Sequence, residues 1–147
     1  MNTNTLTYRY FYKADPQKMY QTLLNTQLEY FQMHDKSIKE LHVGDKINTT
    51  LKTKINHDSV TTMEVTKIIP NEEFQLVTHQ VGNHDITQTF KFKKSPNGSN
   101  ELDYSERTNV TTFRGQSYFF LAKLLYKFFY NRGMKKRMQQ LENLALN

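Results

Sequence analysis

Cysteine is absent from the 147 residues, which excludes disulfides, thiol catalysis and cysteine-ligated zinc. Glycine is scarce, at five residues, and none sits in a Gly-x-Ser-x-Gly or a phosphate-cradling loop, so those two chemistries have no foothold. Nowhere do about 18 uncharged apolar residues stand in succession, and the opening MNTNTLTYRY has neither the basic start nor the apolar run of a secretion signal. These absences predict a soluble, cytoplasmic protein, and the length fits one domain over residues 1–147.

What is present is a formal charge of +6 placed unevenly. From Arg107 to Asn147 the chain carries eight basic residues against one acid, Glu142, whereas residues 1–106 carry 12 basic and 13 acidic groups. A basic terminal segment attracts phosphate or anionic lipid, although a solvated helix face has the same composition. Nine tyrosines and ten phenylalanines beside the cluster Arg132, Lys135, Lys136 and Arg137 raise nucleic-acid binding. The cluster is short and no RNP-type fingerprint accompanies it, which argues against that partner.

Leu6, Tyr8, Tyr10 and Tyr12 alternate with Thr7, Arg9, Phe11 and Lys13, the period of a strand with one covered face. Asp15-Pro16 then reads as a helix start. Met19, Tyr20, Leu23 and Leu24 follow at helical spacing, with a break allowed at Asn25 and a second short helix holding Leu28 and Phe31. From Lys46 to Thr111 the turn-forming groups Asn56-His57-Asp58, Pro70-Asn71-Glu72, Gly82-Asn83-His84-Asp85 and Ser95 to Ser99 divide five strands. Inner faces are clear for Ile47 to Ile55, for Ile86, Gln88, Phe90 and Phe92, and for Leu102, Tyr104, Glu106, Thr108 and Val110. The strands Val60 to Ile69 and Phe74 to Val81 are mixed on both faces.

After Gly115 the spacing predicts about 30 helical residues, or about 45 Å. Phe120, Leu124, Lys127, Asn131, Met134, Met138, Leu141 and Ala145 form one seam that should face the sheet. Its polar members, Lys127 and Asn131, fall together where a cavity would leave them room. Leu121, Leu125, Phe128 and Phe129 lie on another side, followed there by Arg132, Lys135 and Lys136. That side could be covered by the residues 15–33 helices, by a second copy in a homodimer, or by an anionic membrane surface. Asn131-Arg132-Gly133 could instead end one helix and start another. Ser117 to Tyr130 is too short to span a bilayer and contains Lys123 and Lys127, which leaves only an interfacial position open.

The order strand, one or two helices, five strands, long helix, with Ala14-Asp15-Pro16-Gln17-Lys18-Met19-Tyr20 after the first strand, resembles the START-like superfamily. This is the helix-grip fold, also called Bet v 1-like or SRPBCC. More narrowly, ELDYSER (Glu101 to Arg107) followed by FFYNRGMKKRMQQLENL resembles a bacterial family within it, known as a domain of unknown function. The resemblance implies an α+β architecture: a curved antiparallel sheet of about six strands wrapped on a long C-terminal helix, one or two short helices after the first strand, and a cavity between. It implies no single activity, because members include lipid and hormone carriers, polyketide cyclases, oxygenase subunits and chaperone activators.

Glu106 is the sharpest candidate, since an inward carboxylate bears a desolvation cost unless donors or a cation hold it. Tyr104, Gln88, and Lys127 or Asn131 are the expected partners. With Tyr8, Tyr10, Phe90, Phe120 and Leu124 they make the expected ligand-binding set for a hydrophobic or amphipathic, lipid-like small molecule, though such aromatics also serve simply as core. The alternative is a peripheral membrane or protein-interaction module using Leu121, Leu125, Phe128, Phe129, Arg132, Lys135 and Lys136. Three His-Asp pairs, His34-Asp35, His57-Asp58 and His84-Asp85, suggest a metal phosphohydrolase, but two of them fall in predicted turns, where such residues serve the turn itself. No catalytic residue, metal or cofactor is expected; acid–base chemistry by Glu106 or a tyrosine enters only by analogy with the superfamily. The residues favour a binding protein over an enzyme.

Overall fold

The computed structural model of the chain describes residues 3–51, 59–79, 85–109 and 133–147. The first strand, β1 (Thr3–Tyr12), keeps the alternation of its sequence: Tyr12 is buried, Leu6, Tyr8 and Tyr10 are partly buried, and Thr5, Thr7, Arg9 and Phe11 are exposed. Helix α1 (Pro16–His34) starts where Asp15 accepts a hydrogen bond from the Lys18 N–H at 3.1 Å and Pro16 takes the first turn. It runs unbroken through Asn25, which is exposed and accepts from Gln21 Nε2 at 3.4 Å. The one or two helices allowed by the sequence are therefore one. Asp35 ends it, its N–H donating to the Phe31 carbonyl at 2.8 Å. Met19, Tyr20, Leu23 and Phe31 are its buried face.

Strands β2 (Lys46–Leu51), β3 (Ser59–Ile69), β4 (Glu73–His79), β5 (Ile86–Lys94) and β6 (Asn100–Asn109) follow. All neighbours pair antiparallel in the order β1-β6-β5-β4-β3-β2. Because β1 and β2 are opposite edges, α1 and the loop after it must carry the chain across the width of the sheet. Residues 133–146 form helix α2.

The register sets side chains in rows on the inner face. One row reads Tyr8, Tyr104, Phe90, Phe74, Ile68 and the next reads Leu6, Glu106, Gln88, Leu76, Val65. A bulge between Val65 and Lys67 shifts the parity of β3, so Thr61 and Val65 are buried before it, while Ile68 packs on the core after it. That shift explains why β3 looks mixed on both faces in sequence. On α2 the described half of the apolar seam, Met134, Met138, Leu141 and Ala145, is buried in the same core as Phe74, Phe90, Phe92, Leu102 and Tyr104.

The β5–β6 hairpin turns through Pro96, Asn97 and Gly98, with the Gly98 N–H donating to the Ser95 carbonyl at 2.9 Å. Gly98 has φ of 86°, a left-handed conformation that favours glycine. Open space surrounds the position, so Gly98→Val should lower stability by about 1–2 kcal/mol through the backbone alone. Gly98→Asn should lose less, and urea denaturation of both variants measures the difference.

Candidate functional site

Leu23, Thr26 and Gln27 of α1, Gln88 and Phe90 of β5, Tyr104 of β6, and Met134, Arg137, Met138, Gln140, Leu141 and Leu144 of α2 line an open cavity of about 290 Å³. Its position between sheet and both helices follows from the fold: each element turns its apolar stripe inward, and the stripes meet around this space. A larger hollow of about 530 Å³ runs along the loop after α1 and is mostly polar. Its acids are engaged within the loop, with Asp45 accepting from the His42 N–H at 2.7 Å and Asp35 from the Ser37 N–H at 3.0 Å.

One polar relay enters the cavity wall. Gln88 Nε2 donates to the Tyr104 hydroxyl at 2.7 Å, and that hydroxyl donates to Glu106 Oε2 at 3.1 Å. Register explains the meeting: Gln88 sits directly opposite Glu106, and Tyr104 lies two residues earlier on the same face of β6. The Tyr104 ring is fixed by Phe90, whose centroid is 4.7 Å away, and Phe90 in turn tilts against Phe74 at 6.3 Å. Tyr104 is 2% exposed, so the hydroxyl is delivered to the wall on a rigid stem.

A second cluster seats α2. The Glu142 carboxylate accepts from the Tyr10 hydroxyl at 2.5 Å and from the N–H groups of Lys13 at 2.6 Å and Ala14 at 3.1 Å. Burial alone would raise the Glu142 carboxyl. The three donors and the nearby Lys13 charge outweigh it and hold the group below its usual value. Tyr10 is driven well above the ordinary tyrosine value, first by burial and then by its bond to Glu142. Burial, followed by the charges of Asp15 and Glu142, pushes Tyr12 up to about 12.

Of the residues expected at a ligand site, Gln88, Phe90 and Tyr104 line the cavity and Glu106 is joined to Tyr104. Tyr8 packs on the core, and Tyr10 is turned to Glu142. Phe120, Leu124, Lys127 and Asn131 lie outside the described residues, as do Leu121, Leu125, Phe128, Phe129 and Arg132. So does the junction before Gly133 that would settle whether the helix is continuous. Lys135 and Lys136 are exposed on α2.

Leu23, Met134, Met138 and Leu141 stand on apolar helix faces in the sequence, with no sign there that they line a cavity. Arg137 belongs to a basic cluster, and Thr26, Gln27, Gln140 and Leu144 carry no sequence signal of a site of their own. The inward seam on α2 was the available signal, since whatever flanks a seam over a cavity becomes its rim. Of the His-Asp pairs, His34 Nδ1 lies 3.1 Å from the Tyr30 carbonyl and Asp85 Oδ1 lies 3.2 Å from His79 Nδ1. His57, Asp58 and His84 lie outside the described residues. Among the described residues no group of three metal-ligating side chains converges, and no helix is long and apolar enough to cross a membrane.

Comparison with solved structures places the architecture. SA2116 from Staphylococcus aureus, a protein of unknown function, superposes with a TM-score of 0.64 at 11% identity, over 99% of this chain and 96% of that chain. Ara h 8.0201 superposes with a TM-score of 0.55 at 9% identity, over 99% of each chain. The chain has the helix-grip fold. DynU16, a protein of the dynemicin biosynthetic locus, matches at a TM-score of 0.57 and 8% identity over 95% of this chain and 46% of its own. No protein-family model and no curated protein sequence matches the chain. Identities this low establish the helix-grip architecture and nothing finer.

Removing the Glu142 carboxylate strands one hydroxyl and two N–H donors, so Glu142→Ala should lose about 2 kcal/mol of stability. Because the folded carboxyl titrates below its ordinary 4.5, its contribution is complete above that value and is lost as pH falls through the lowered one. The stability gap between wild type and Glu142→Gln should therefore shrink on acidification. Denaturant midpoints from neutral to acid pH give the check, and parallel curves would remove the clamp as a source of pH-dependent stability.

Proposed function

We propose that the protein binds a hydrophobic or amphipathic small molecule, lipid-like in character, without transforming it. The cavity among α1, the inner face of the sheet and α2 is the site. The observation that carries this reading is the cavity's two-part composition: apolar walls of Leu23, Phe90, Met134, Met138, Leu141 and Leu144, and polar groups from Thr26, Gln27, Gln88, Tyr104, Arg137 and Gln140. Its apolar part rewards apolar surface by excluding water, and its polar part supplies hydrogen bonds that orient the occupant, which suits an amphipathic molecule. Tyr104, already engaged with both Gln88 and Glu106, is braced to present a fixed polar point.

The helix-grip fold supplies the scaffold for such a site, while the wall chemistry supplies the reason to assign it here. We place the protein in the cytoplasm. The narrower kinship with a bacterial family of this superfamily, read from ELDYSER and the terminal helix, belongs to the same proposal.

Native mass spectrometry of freshly purified protein, with extraction of whatever dissociates, tests the reading. A reproducible adduct is expected, and Met134→Trp, which places an indole in the cavity, should abolish it while leaving the circular dichroism unchanged. An adduct that survives the blocked cavity, or no extractable molecule from wild type together with no binding of added amphiphiles, would overturn the assignment.

A further inference from the structure

The cavity carries a cation on its α2 side. On the inner face of the sheet, opposite Gln88, lies Glu106, joined to the lining hydroxyl of Tyr104 at 3.1 Å. On α2 the lining includes Arg137, whose residue as a whole is exposed, so its guanidinium stands where the cavity meets solvent. No carboxylate among the described residues forms an ion pair with Arg137. Its neighbours Lys135 and Lys136 are exposed but do not line the cavity.

An arginine stem laid along an apolar wall with its head at the mouth is suited to a planar anion, which the guanidinium fork meets with two parallel hydrogen bonds. A ligand entering anion-first would bury its charge among Leu23, Phe90 and Met138, away from Arg137. One entering tail-first fills the apolar part of the cavity and leaves its head at Arg137. Among the described residues Arg137 is the one lining cation, and a single positive charge matches a single negative one, which favours a carboxylate over a phosphate monoester carrying nearly two.

Resting on the binding reading above, we propose that the ligand is a single-chain amphiphile with a carboxylate head, bound tail inward and head against Arg137. Arg137 is then the residue that selects ligand charge, while the apolar walls select chain length.

Isothermal titration with decanoate, decanol and decyltrimethylammonium separates this from the cavity reading itself. Wild type should bind decanoate more tightly than decanol and reject the ammonium amphiphile. Arg137→Gln should weaken decanoate about fivefold to tenfold and leave decanol unchanged. Arg137→Lys should recover part of the loss, and Lys136→Gln should change nothing. Equal decanoate binding by wild type and Arg137→Gln, or equal weakening of decanoate and decanol, would overturn the head-group assignment while the cavity stands. Failure of all three probes to bind wild type would overturn both.

Discussion

The Glu142 carboxylate is the point on which the cavity depends. It gathers the Tyr10 hydroxyl and the N–H groups of Lys13 and Ala14, and so pins α2 to the corner where β1 leaves the sheet and α1 begins. Apolar packing of Met134, Met138, Leu141 and Ala145 brings the helix onto the sheet, but it is non-directional and would tolerate a slid or rotated helix. Three charge-assisted donors converging on one side chain fix the axial position. Once α2 is fixed, the spacing of its seam determines which residues lie over Phe90 and Tyr104 and which reach the mouth.

The two faces of the sheet divide the work. On the outer face polar side chains pair with one another: Thr66 Oγ1 donates to Gln75 Oε1 at 2.9 Å, Gln75 Nε2 donates to Thr89 at 2.9 Å, and Lys93 Nζ lies 2.8 Å from Asp103 Oδ2 and 3.4 Å from Glu101, while Asp103 Oδ1 is buried without a hydrogen-bond partner among the described residues. Lys67 pairs with Glu73 at 3.2 Å. That face therefore needs no second layer, and the apolar demand of the sheet falls on the inner side. There Tyr12 and Tyr20 stack edge-on against Phe92, close to where Glu142 holds Tyr10 and Lys13. Aromatic packing fills this end of the inner face, while Gln88, Tyr104 and Glu106 introduce polarity one to two rows away.

Much of this was legible in sequence because it is periodic. Alternation exposed the inner faces of β1, β5 and β6, and three-and-four spacing exposed the buried seam of α2. The inward parity of Glu106 pointed to Tyr104 and Gln88 as its neighbours, since residues two apart on one strand and opposite on the next must meet. What was not legible depends on events without a period. The bulge at Thr66 reverses parity within β3, and only the three-dimensional register reveals it. Asn25 is a poor helix former, but its exposed position within an amphipathic helix let tertiary packing of Leu23 and Phe31 override it. Glu142 and Tyr10 are separated by 132 positions, so neither residue announces the other. Arg137 is one basic residue among four in the sequence, and the placement of α2 makes it the one that lines the cavity among the described members of that cluster.

The most direct test of the central claim is the methyl NMR spectrum of methionine-labelled protein during titration with decanoate. Met134 and Met138 line the cavity, while Met33 is exposed on α1 at 79%. The account predicts saturable shifts of Met134 and Met138 with Met33 unmoved. Shifts confined to Met33, or none at Met134 and Met138 at saturating decanoate, would contradict it.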